Sequence, residues 1–368
     1  MNNLQKLNAL GQSAWYDNVR RGLIRSGELA ALLKQGVTGL TSNPTIFEKA
    51  MAQSADYDDE MVKLARQGKS AGEIYEALAV EDIQAVADML RGVYDATKGV
   101  DGYASLEVSP LLANDTEGTV AEAHRLFRAL NRPNVMIKVP ATPAGVPAIR
   151  RLIADGLNIN VTLVFSLEAY SQVREAYIAG LEDLAKAGGN VSKAASVASF
   201  FVSRVDTLVD NSLKGKPEEK SLAGKAAIAN AKLAYGDFQR DFGGKRFQAL
   251  KAKGAHVQRP LWASTSTKNL AYRDVIYVDN LIGRDTVNTM PENTLKAFLD
   301  HGKPEVTVDR DTADAEKVFA DLERAGIRMT QVTGKLLSDG VKAFADSFDQ
   351  LMANIEQKRT KLLAQTRK

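Results

Sequence analysis

The chain has 368 residues, of which 45% are hydrophobic and 25% charged, as is ordinary for a globular protein. Its net charge of +3, without a dense basic block, argues against a nucleic-acid partner. The lack of cysteine excludes disulfides, thiolate catalysis and cysteine-based zinc sites, and the 3 histidines are not grouped at ligand spacing, so no metal is expected. No signal peptide or bilayer-length apolar run is visible, which predicts a cytoplasmic protein without a membrane partner.

Strand-like stretches recur along the chain, and each is followed by a helical pattern. The predicted strands cover residues 11–19, 37–47, 102–110, 134–142, 157–166, 195–206, 259–267 and 275–283. The predicted helical regions cover 1–10, 20–36, 48–98, 118–131, 144–156, 167–188, 207–256 and most of the chain from 292 onward. This alternation is typical of a parallel α/β protein. Eight such units favour a closed (β/α)8 TIM barrel with additional helices.

Domain organisation and helix ends are also predicted from local signals. No linker divides the chain, so 1–368 is predicted to be one domain. The 207–256 stretch is longer than a barrel crossover needs and predicts a helical insertion. Ser26 is the expected N-cap and Gly36 the expected C-cap of one helix. The basic segment 357–368 is expected to be the exposed end of a helix.

The most informative stretch is NVMIKVPAT, residues 134–142. Its continuous apolar run indicates a strand that is buried on both faces, and Pro140 indicates the strand end. Lys138 lies within this run, where a charged amine is costly unless it is paired. Burial favours the neutral form of an amine, and a neutral amine is a nucleophile towards carbonyls. Lys138 could equally extend out of the strand end or pair with a buried acid for structural reasons.

Polar residues fall one to a strand, mostly near the carboxyl ends where the active sites of barrels lie. They are Asp17, Asn43, Glu107, Lys138, Thr162 and Ser199. An amine surrounded by carboxylates, an amide and hydroxyls is what Schiff-base chemistry needs. Structural alternatives stay open, because Asp17 could cap a helix and Asn43 could shape the turn before Pro44.

Several motifs together resemble transaldolase, and more closely its longer branch found in actinobacteria and cyanobacteria. They are GLTSNPTIF, SLEVSP, NVMIKVPAT, INVTLVFS, ASVASFFVSR, AIANAKLAY, QRPLWAST and DTVNTMP. Their order matches from Trp15 to about Ala297, which covers nearly the whole chain.

The resemblance implies a transferase of the pentose phosphate pathway that needs no metal or organic cofactor. Lys138 would form a Schiff base with sedoheptulose 7-phosphate and pass a dihydroxyacetone unit to glyceraldehyde 3-phosphate, giving erythrose 4-phosphate and fructose 6-phosphate. Asp17 would be the general acid/base, and Glu107 and Thr162 would hold the catalytic water. Asn43 would hydrogen-bond the dihydroxyacetone unit.

The resemblance also implies a pocket for the substrate phosphate. Arg204 matches the family's phosphate arginine, although it could instead pair with Asp206. Ser199 and Phe201 belong to the same motif, and Phe201 could narrow the pocket. In WASTSTKN, residues 262–269, Ser264 matches a serine of the family, Ser266 stands where a second arginine is usual, and Lys268 is the expected replacement. Arg284 replaces a usual proline.

Two other functions are compatible with these residues. One is a class I aldolase that acts on fructose 6-phosphate and releases dihydroxyacetone. The other is a non-catalytic sugar-phosphate-binding protein, which would not need a nucleophilic lysine. A monomer or homodimer is expected.

Overall fold

The computed structural model describes residues 1–365 and contains a closed barrel of eight parallel strands in chain order. The strands are β1 (Gln12–Tyr16), β2 (Val37–Leu40), β3 (Ala104–Glu107), β4 (Val135–Pro140), β5 (Ile159–Val164), β6 (Ser196–Phe201), β7 (Arg259–Ala263) and β8 (Thr286–Met290). The predicted (β/α)8 TIM barrel with additional helices is therefore confirmed.

Helices surround the barrel and cover its ends. They are α1 (Asn3–Ala9), α2 (Arg21–Arg25), α3 (Glu28–Gln35), α4 (Pro44–Gln53), α5 (Asp58–Arg66), α6 (Ala71–Ala96), α7 (Thr116–Leu130), α8 (Gly145–Ala154), α9 (Leu167–Lys186), α10 (Ser203–Leu213), α11 (Glu219–Leu222), α12 (Ala226–Gly243), α13 (Lys245–Lys251), α14 (Ile276–Asp279), α15 (Glu292–His301), α16 (Thr312–Arg324) and α17 (Met329–Gln365). Two short 3₁₀ helices span Pro110–Leu112 and Val191–Lys193.

The register of the central strands fixes the position of Lys138. In β4, Lys138 pairs with Glu107 of β3 on one side and with Asn160 of β5 on the other. Two residues further along β4, Pro140 lies opposite Thr162. All six residues of β4 are buried, as the continuous apolar run predicts. Adjacent parallel strands therefore bring a lysine, a carboxylate and a hydroxyl to the same end of the barrel.

The predicted position of the eighth strand was wrong. Within 275–283 the structure has the helix α14 and a turn, while β8 lies later, at Thr286–Met290. A short apolar run such as VIYV fits a buried helical turn as well as a strand. The true strand was hidden because it carries polar residues into the barrel interior, where Asn288 accepts a hydrogen bond from Thr265 at 2.9 Å.

The seven other predicted strands all end earlier than expected, and the difference is largest for β2 and β6. β2 stops at Leu40, and Pro44 starts α4 because proline is favoured at the first position of a helix. β6 stops at Phe201, so Arg204 lies in the first turn of α10 rather than on a strand.

The helix ends were predicted in part. Ser26 ends α2 instead of capping the next helix, whose N-cap is Gly27 with φ of 82°. Gly36 is the C-cap with φ of 114°, as predicted, because glycine tolerates the left-handed region.

The C-terminal helix α17 packs against α4, α5, α6 and α10, and so extends over the carboxyl end of the barrel. Phe344 of α17 reaches the cavity at that end. The predicted basic helix end at 357–368 is helical as far as Gln365, and its last three residues lie outside the described part of the chain. Residues 207–256 form most of α10 and the helices α11 to α13, and α12 packs against α9, α16 and β7. A separate helical insertion there stays a prediction.

Candidate active site

A cavity of about 340 Å³ lies at the carboxyl ends of the strands, and we call it the central cavity. Its wall includes nine of the ten predicted site residues: Asp17, Asn43, Lys138, Thr162, Ser199, Phe201, Arg204, Ser264 and Lys268. Glu107 is not part of this wall but is in contact with Lys138. The barrel topology thus gathers residues that are up to about 250 positions apart in sequence.

Lys138 is the buried amine of the site, with a relative exposure of 5%. Its Nζ donates to the carbonyl oxygen of Ser42 at 2.8 Å and to Glu107 Oε2 at 3.2 Å. The two partners lie on neighbouring segments of the barrel and fix the direction of the amine. A buried lysine that is held in this way and lines a cavity can reach a carbonyl carbon there.

Glu107 ends β3 and pairs directly with Lys138. Burial raises the pKa of the Glu107 carboxyl, and the neighbouring Lys138 ammonium opposes that rise. Once the lysine loses its charge, the opposing effect disappears and the carboxyl binds a proton more readily. Glu107 can therefore give and take a proton as Lys138 changes its charge.

Asp17 follows the last residue of β1 and is partly buried. Its Oδ1 accepts a hydrogen bond from Thr41 Oγ1 at 2.7 Å. Burial raises the pKa of Asp17, while the bond from Thr41 and the charges of Lys138 and Lys268 lower it. The carboxylate is therefore ionisable yet desolvated, which suits a general base.

Three more polar side chains line the central cavity. Thr162 Oγ1 is buried and has no hydrogen-bond partner within residues 1–365. Ser199 donates to Asn160 Oδ1 at 2.7 Å. Asn43 is the N-cap of α4, with its Oδ1 accepting from the Ile46 N–H at 3.0 Å. Asn43 therefore shapes the turn and lines the cavity at once, so the two interpretations of this residue are compatible.

Arg204 lines the central cavity and is partly buried. Its guanidinium stacks over the ring of Phe201, 5.3 Å from the centroid. Asp206 does not pair with it, because its oxygens accept from the Ala227 N–H at 2.7 Å and the Tyr277 hydroxyl at 2.9 Å. No carboxylate in the described part of the chain forms an ion pair with Arg204. Burial lowers the pKa of this guanidinium, as expected for a cation without a counter-ion.

Ser264 and Lys268 lie on the loop that follows β7. Ser264 has φ of 56°, and Ser203 holds it through a hydroxyl contact of 3.0 Å and a bond from the Ser203 N–H to its carbonyl oxygen, also 3.0 Å. These contacts join the loop to the start of α10, which carries Arg204. Lys268 is exposed at the rim, and its Nζ donates to Ser266 Oγ at 2.7 Å. Burial and the charge of Arg204 lower the pKa of Lys268.

Sequence reasoning missed several residues of the site. Thr41 binds Asp17, the Ser42 carbonyl binds Lys138, and Lys49 and Phe344 line the cavity. Thr41 and Ser42 belong to the TSNP motif. Their roles could not be read from it, because Thr41 acts through a contact with Asp17 after another strand and Ser42 acts through its backbone carbonyl. Arg284 does not line the cavity. Its carbonyl accepts from the Tyr235 hydroxyl at 3.1 Å, ahead of the amino end of β8.

Comparisons with known proteins identify the family to which the chain belongs. The model of the family described as "Transaldolase/Fructose-6-phosphate aldolase" matches residues 14–355. The chain belongs to this family. A relative named transaldolase from Frankia alni is 49% identical over 97% of this chain and 97% of its own length. One from Trichodesmium erythraeum is 46% identical over 98% of both chains, and transaldolase 1 of Streptomyces coelicolor is 47% identical over 96% of this chain and 93% of its own.

The described residues show neither a membrane-spanning helix nor a cluster of metal ligands. Residues 1–365 contain no helix with the length and apolar character that crossing a membrane requires. In the same range no three His, Asp or Glu side chains are grouped so that they could hold a metal ion.

Proposed function

We propose that this protein is a transaldolase that moves a dihydroxyacetone unit from sedoheptulose 7-phosphate to glyceraldehyde 3-phosphate through a Schiff base on Lys138. The observation that carries the proposal is the buried Lys138–Glu107 pair, 3.2 Å apart, beside a cavity that also holds Asp17 and Thr162. Membership of the family and the names of the relatives support it.

Imine formation uses Lys138, Glu107 and Thr162. The neutral amine attacks the C2 carbonyl, and a proton moves from the nitrogen to the C2 oxygen to give a neutral carbinolamine. Glu107 then protonates the C2 hydroxyl, which leaves as water when the C=N bond forms. The free hydroxyl of Thr162 lies on the same wall and can hold that water.

Bond cleavage uses Asp17. Its carboxylate takes the proton of the C4 hydroxyl, the C3–C4 bond breaks, and the electron pair moves into the iminium to leave an enamine on Lys138. Erythrose 4-phosphate departs as the aldehyde. The enamine then attacks the carbonyl carbon of glyceraldehyde 3-phosphate, Asp17 returns its proton to the new hydroxyl, and hydrolysis releases fructose 6-phosphate.

The three-carbon unit and the phosphate are bound by different residues of the cavity wall. Asn43 uses its Oδ1 within α4, so its amide N–H₂ can donate to the hydroxyls of the dihydroxyacetone unit. Arg204 has no counter-ion in the described residues and can bind the phosphate bidentately. Ser264 adds a hydroxyl donor on the same rim, and Lys268 adds a second positive charge where the family has arginine.

The test is an acceptor-dependent assay with sedoheptulose 7-phosphate and glyceraldehyde 3-phosphate. We expect erythrose 4-phosphate and fructose 6-phosphate to form in equal amounts, and no turnover in Lys138→Arg, which keeps the charge but cannot form an imine. Release of dihydroxyacetone without an aldehyde acceptor, at a rate similar to transfer, would assign the aldolase activity that the family description also names. Binding without any turnover would leave only a sugar-phosphate-binding function.

A further inference from the structure

A second cavity, of about 630 Å³, lies on the outer side of β3 between α6, α7 and α17. We call it the rear cavity. Its wall includes Tyr75 of α6, Glu107 of β3, Glu122 and Arg125 of α7, and Phe348 of α17. It shares no lining residue with the central cavity. The proposed mechanism does not use it.

Glu107 connects the two cavities. It contributes to the wall of the rear cavity, yet its Oε2 is 3.2 Å from the Nζ of Lys138, which lines the central cavity. Its other oxygen, Oε1, forms no hydrogen bond within residues 1–365. The carboxyl group therefore separates the reacting amine from a space that a sugar phosphate in the central cavity does not occupy.

The inner part of the rear cavity carries polar groups suited to hold water. The Tyr75 hydroxyl has no hydrogen-bond partner in the described residues. Burial raises the pKa of Tyr75, and the charges of Glu107 and Glu122 raise it further, so both carboxylates lie within electrostatic range of the hydroxyl. Glu122 accepts from the Ser109 N–H at 3.2 Å, two residues after Glu107 in the chain.

The charged residues nearer the outside of the rear cavity are already paired. Lys69 bonds Glu73 at 2.9 Å, and Arg125 bonds Glu76. These pairs leave no free cation to attract an anionic ligand into this space. A hydrated passage fits the lining better than a second substrate site does.

The chemistry of the amine creates a need for such a passage. Each imine that forms releases one water molecule, and each hydrolysis consumes one. During both steps the sugar occupies the central cavity, whose volume of about 340 Å³ is at the small end for a ligand pocket. Water that had to pass along the bound sugar would be obstructed, whereas the rear cavity approaches Glu107 from the opposite side.

We propose that the rear cavity conducts water and protons to Glu107, with Tyr75 and Glu122 as positioning residues. Glu107 gives its proton to the departing C2 hydroxyl, which leaves as water, and water molecules in the rear cavity relay a proton from the solvent to the carboxylate. Hydrolysis follows the reverse order, with Glu107 taking a proton from the attacking water. This inference rests on the proposed Schiff-base function.

The experiment measures exchange of the C2 oxygen of fructose 6-phosphate with ¹⁸O-labelled water, without an acceptor. Exchange requires one imine formation and one hydrolysis. Tyr75→Phe removes the hydroxyl but keeps the ring contacts with Phe47 and Phe348. Gly72→Leu adds a side chain at the wall of the rear cavity, where a Cβ meets nothing within 4 Å. Gly92→Leu is the control, because Gly92 lies on the same helix, is equally unobstructed and does not line the cavity.

Tyr75→Phe should slow the exchange about tenfold, the size of one lost hydrogen bond at the barrier. Gly72→Leu should slow the exchange as well, because its side chain narrows the rear cavity. KM should stay unchanged. The fraction of enzyme that borohydride traps at equilibrium should also stay unchanged, because formation and hydrolysis slow equally. Gly92→Leu should exchange at the wild-type rate.

Three outcomes overturn the inference or its basis and can be told apart. Wild-type exchange in both Tyr75→Phe and Gly72→Leu overturns the passage alone. An exchange rate that falls in proportion to the fraction of enzyme trapped by borohydride also overturns the passage, because the variants then damage the Lys138 site itself. If wild-type exchange is no faster than that of Lys138→Arg, the proposed function fails.

Discussion

Thr41 controls the protonation of Asp17, and removing its hydroxyl should shift the pH dependence of the reaction. Thr41 Oγ1 donates to Asp17 Oδ1 at 2.7 Å and lies 2.6 Å from Thr289 Oγ1. Because a hydroxyl has one proton, Thr289 must be the donor in the second contact. The hydrogen bond favours the ionised carboxylate and lowers the pKa that burial raises.

The size of the shift follows from the bond that is lost. A hydrogen bond to a charged group is worth about 1.5–3 kcal/mol. One pKa unit corresponds to about 1.4 kcal/mol. Thr41→Val keeps the shape of the side chain and should therefore raise the pKa of Asp17 by about one to two units. Since the mechanism needs ionised Asp17, the acidic limb of kcat/KM should move to higher pH by that amount.

The assay is kcat/KM for sedoheptulose 7-phosphate across pH 5 to 9, the range that about spans the ordinary values of a carboxyl and an amine. Thr38→Val is the matched control, because Thr38 lies on β2, directly before the segment with Thr41, and its hydroxyl bonds only the Ala14 carbonyl, at 3.4 Å. Its profile should match that of the wild type. An acidic limb that does not move in Thr41→Val would refute Asp17 as the base.

Two further predictions concern the phosphate end of the cavity and the stability of the fold. Arg204→Ala should raise KM for glyceraldehyde 3-phosphate about 100-fold and Lys268→Ala about tenfold, because the first removes a charge-assisted pair and the second an exposed ammonium. Unphosphorylated glyceraldehyde is the control substrate, and an equal loss with it would contradict phosphate binding. Burial raises the pKa of Asp206 to about 6, so its ionised form destabilises the fold increasingly from pH 4 to pH 6. Urea unfolding should show that the free energy of unfolding of Asp206→Asn, relative to that of the wild type, increases by about 2–3 kcal/mol from pH 4.5 to pH 7. A difference that does not vary with pH would show that Asp206 is not desolvated.

The strand that carries Lys138 could be predicted because both of its faces are apolar and a proline ends it. β8 could not be predicted in the same way. Its polar side chains are bound by residues from both ends of the barrel: Gln12, at the start of β1, donates to Thr286 Oγ1 at 2.9 Å, and Thr265, which follows β7, donates to Asn288. Such a strand lacks an apolar run, while the neighbouring VIYV has one and forms a helix. Local hydrophobicity indicates that a segment is buried, but not whether the segment is a strand of the barrel or a helix packed around it.

The candidate site was predicted where chemistry is carried by side chains of distinctive type. A lysine in an apolar strand and a glutamate at a strand end stand out by their cost of burial. Thr41 and the Ser42 carbonyl do not stand out, because their effect depends on the distance to Asp17 and Lys138 in the folded barrel. Arg204 was placed on a strand, although it belongs to α10, since the chain turns into a helix directly after Phe201.

The central claim is that Lys138 forms the covalent bond to the ketose, and borohydride trapping tests it most directly. The protein is incubated with fructose 6-phosphate, reduced with borohydride, digested, and mapped by mass spectrometry. We expect one added reduced dihydroxyacetone or hexose phosphate unit per chain on the peptide that contains Lys138, and none in Lys138→Arg. A label on another lysine, or no label during active turnover, would contradict it.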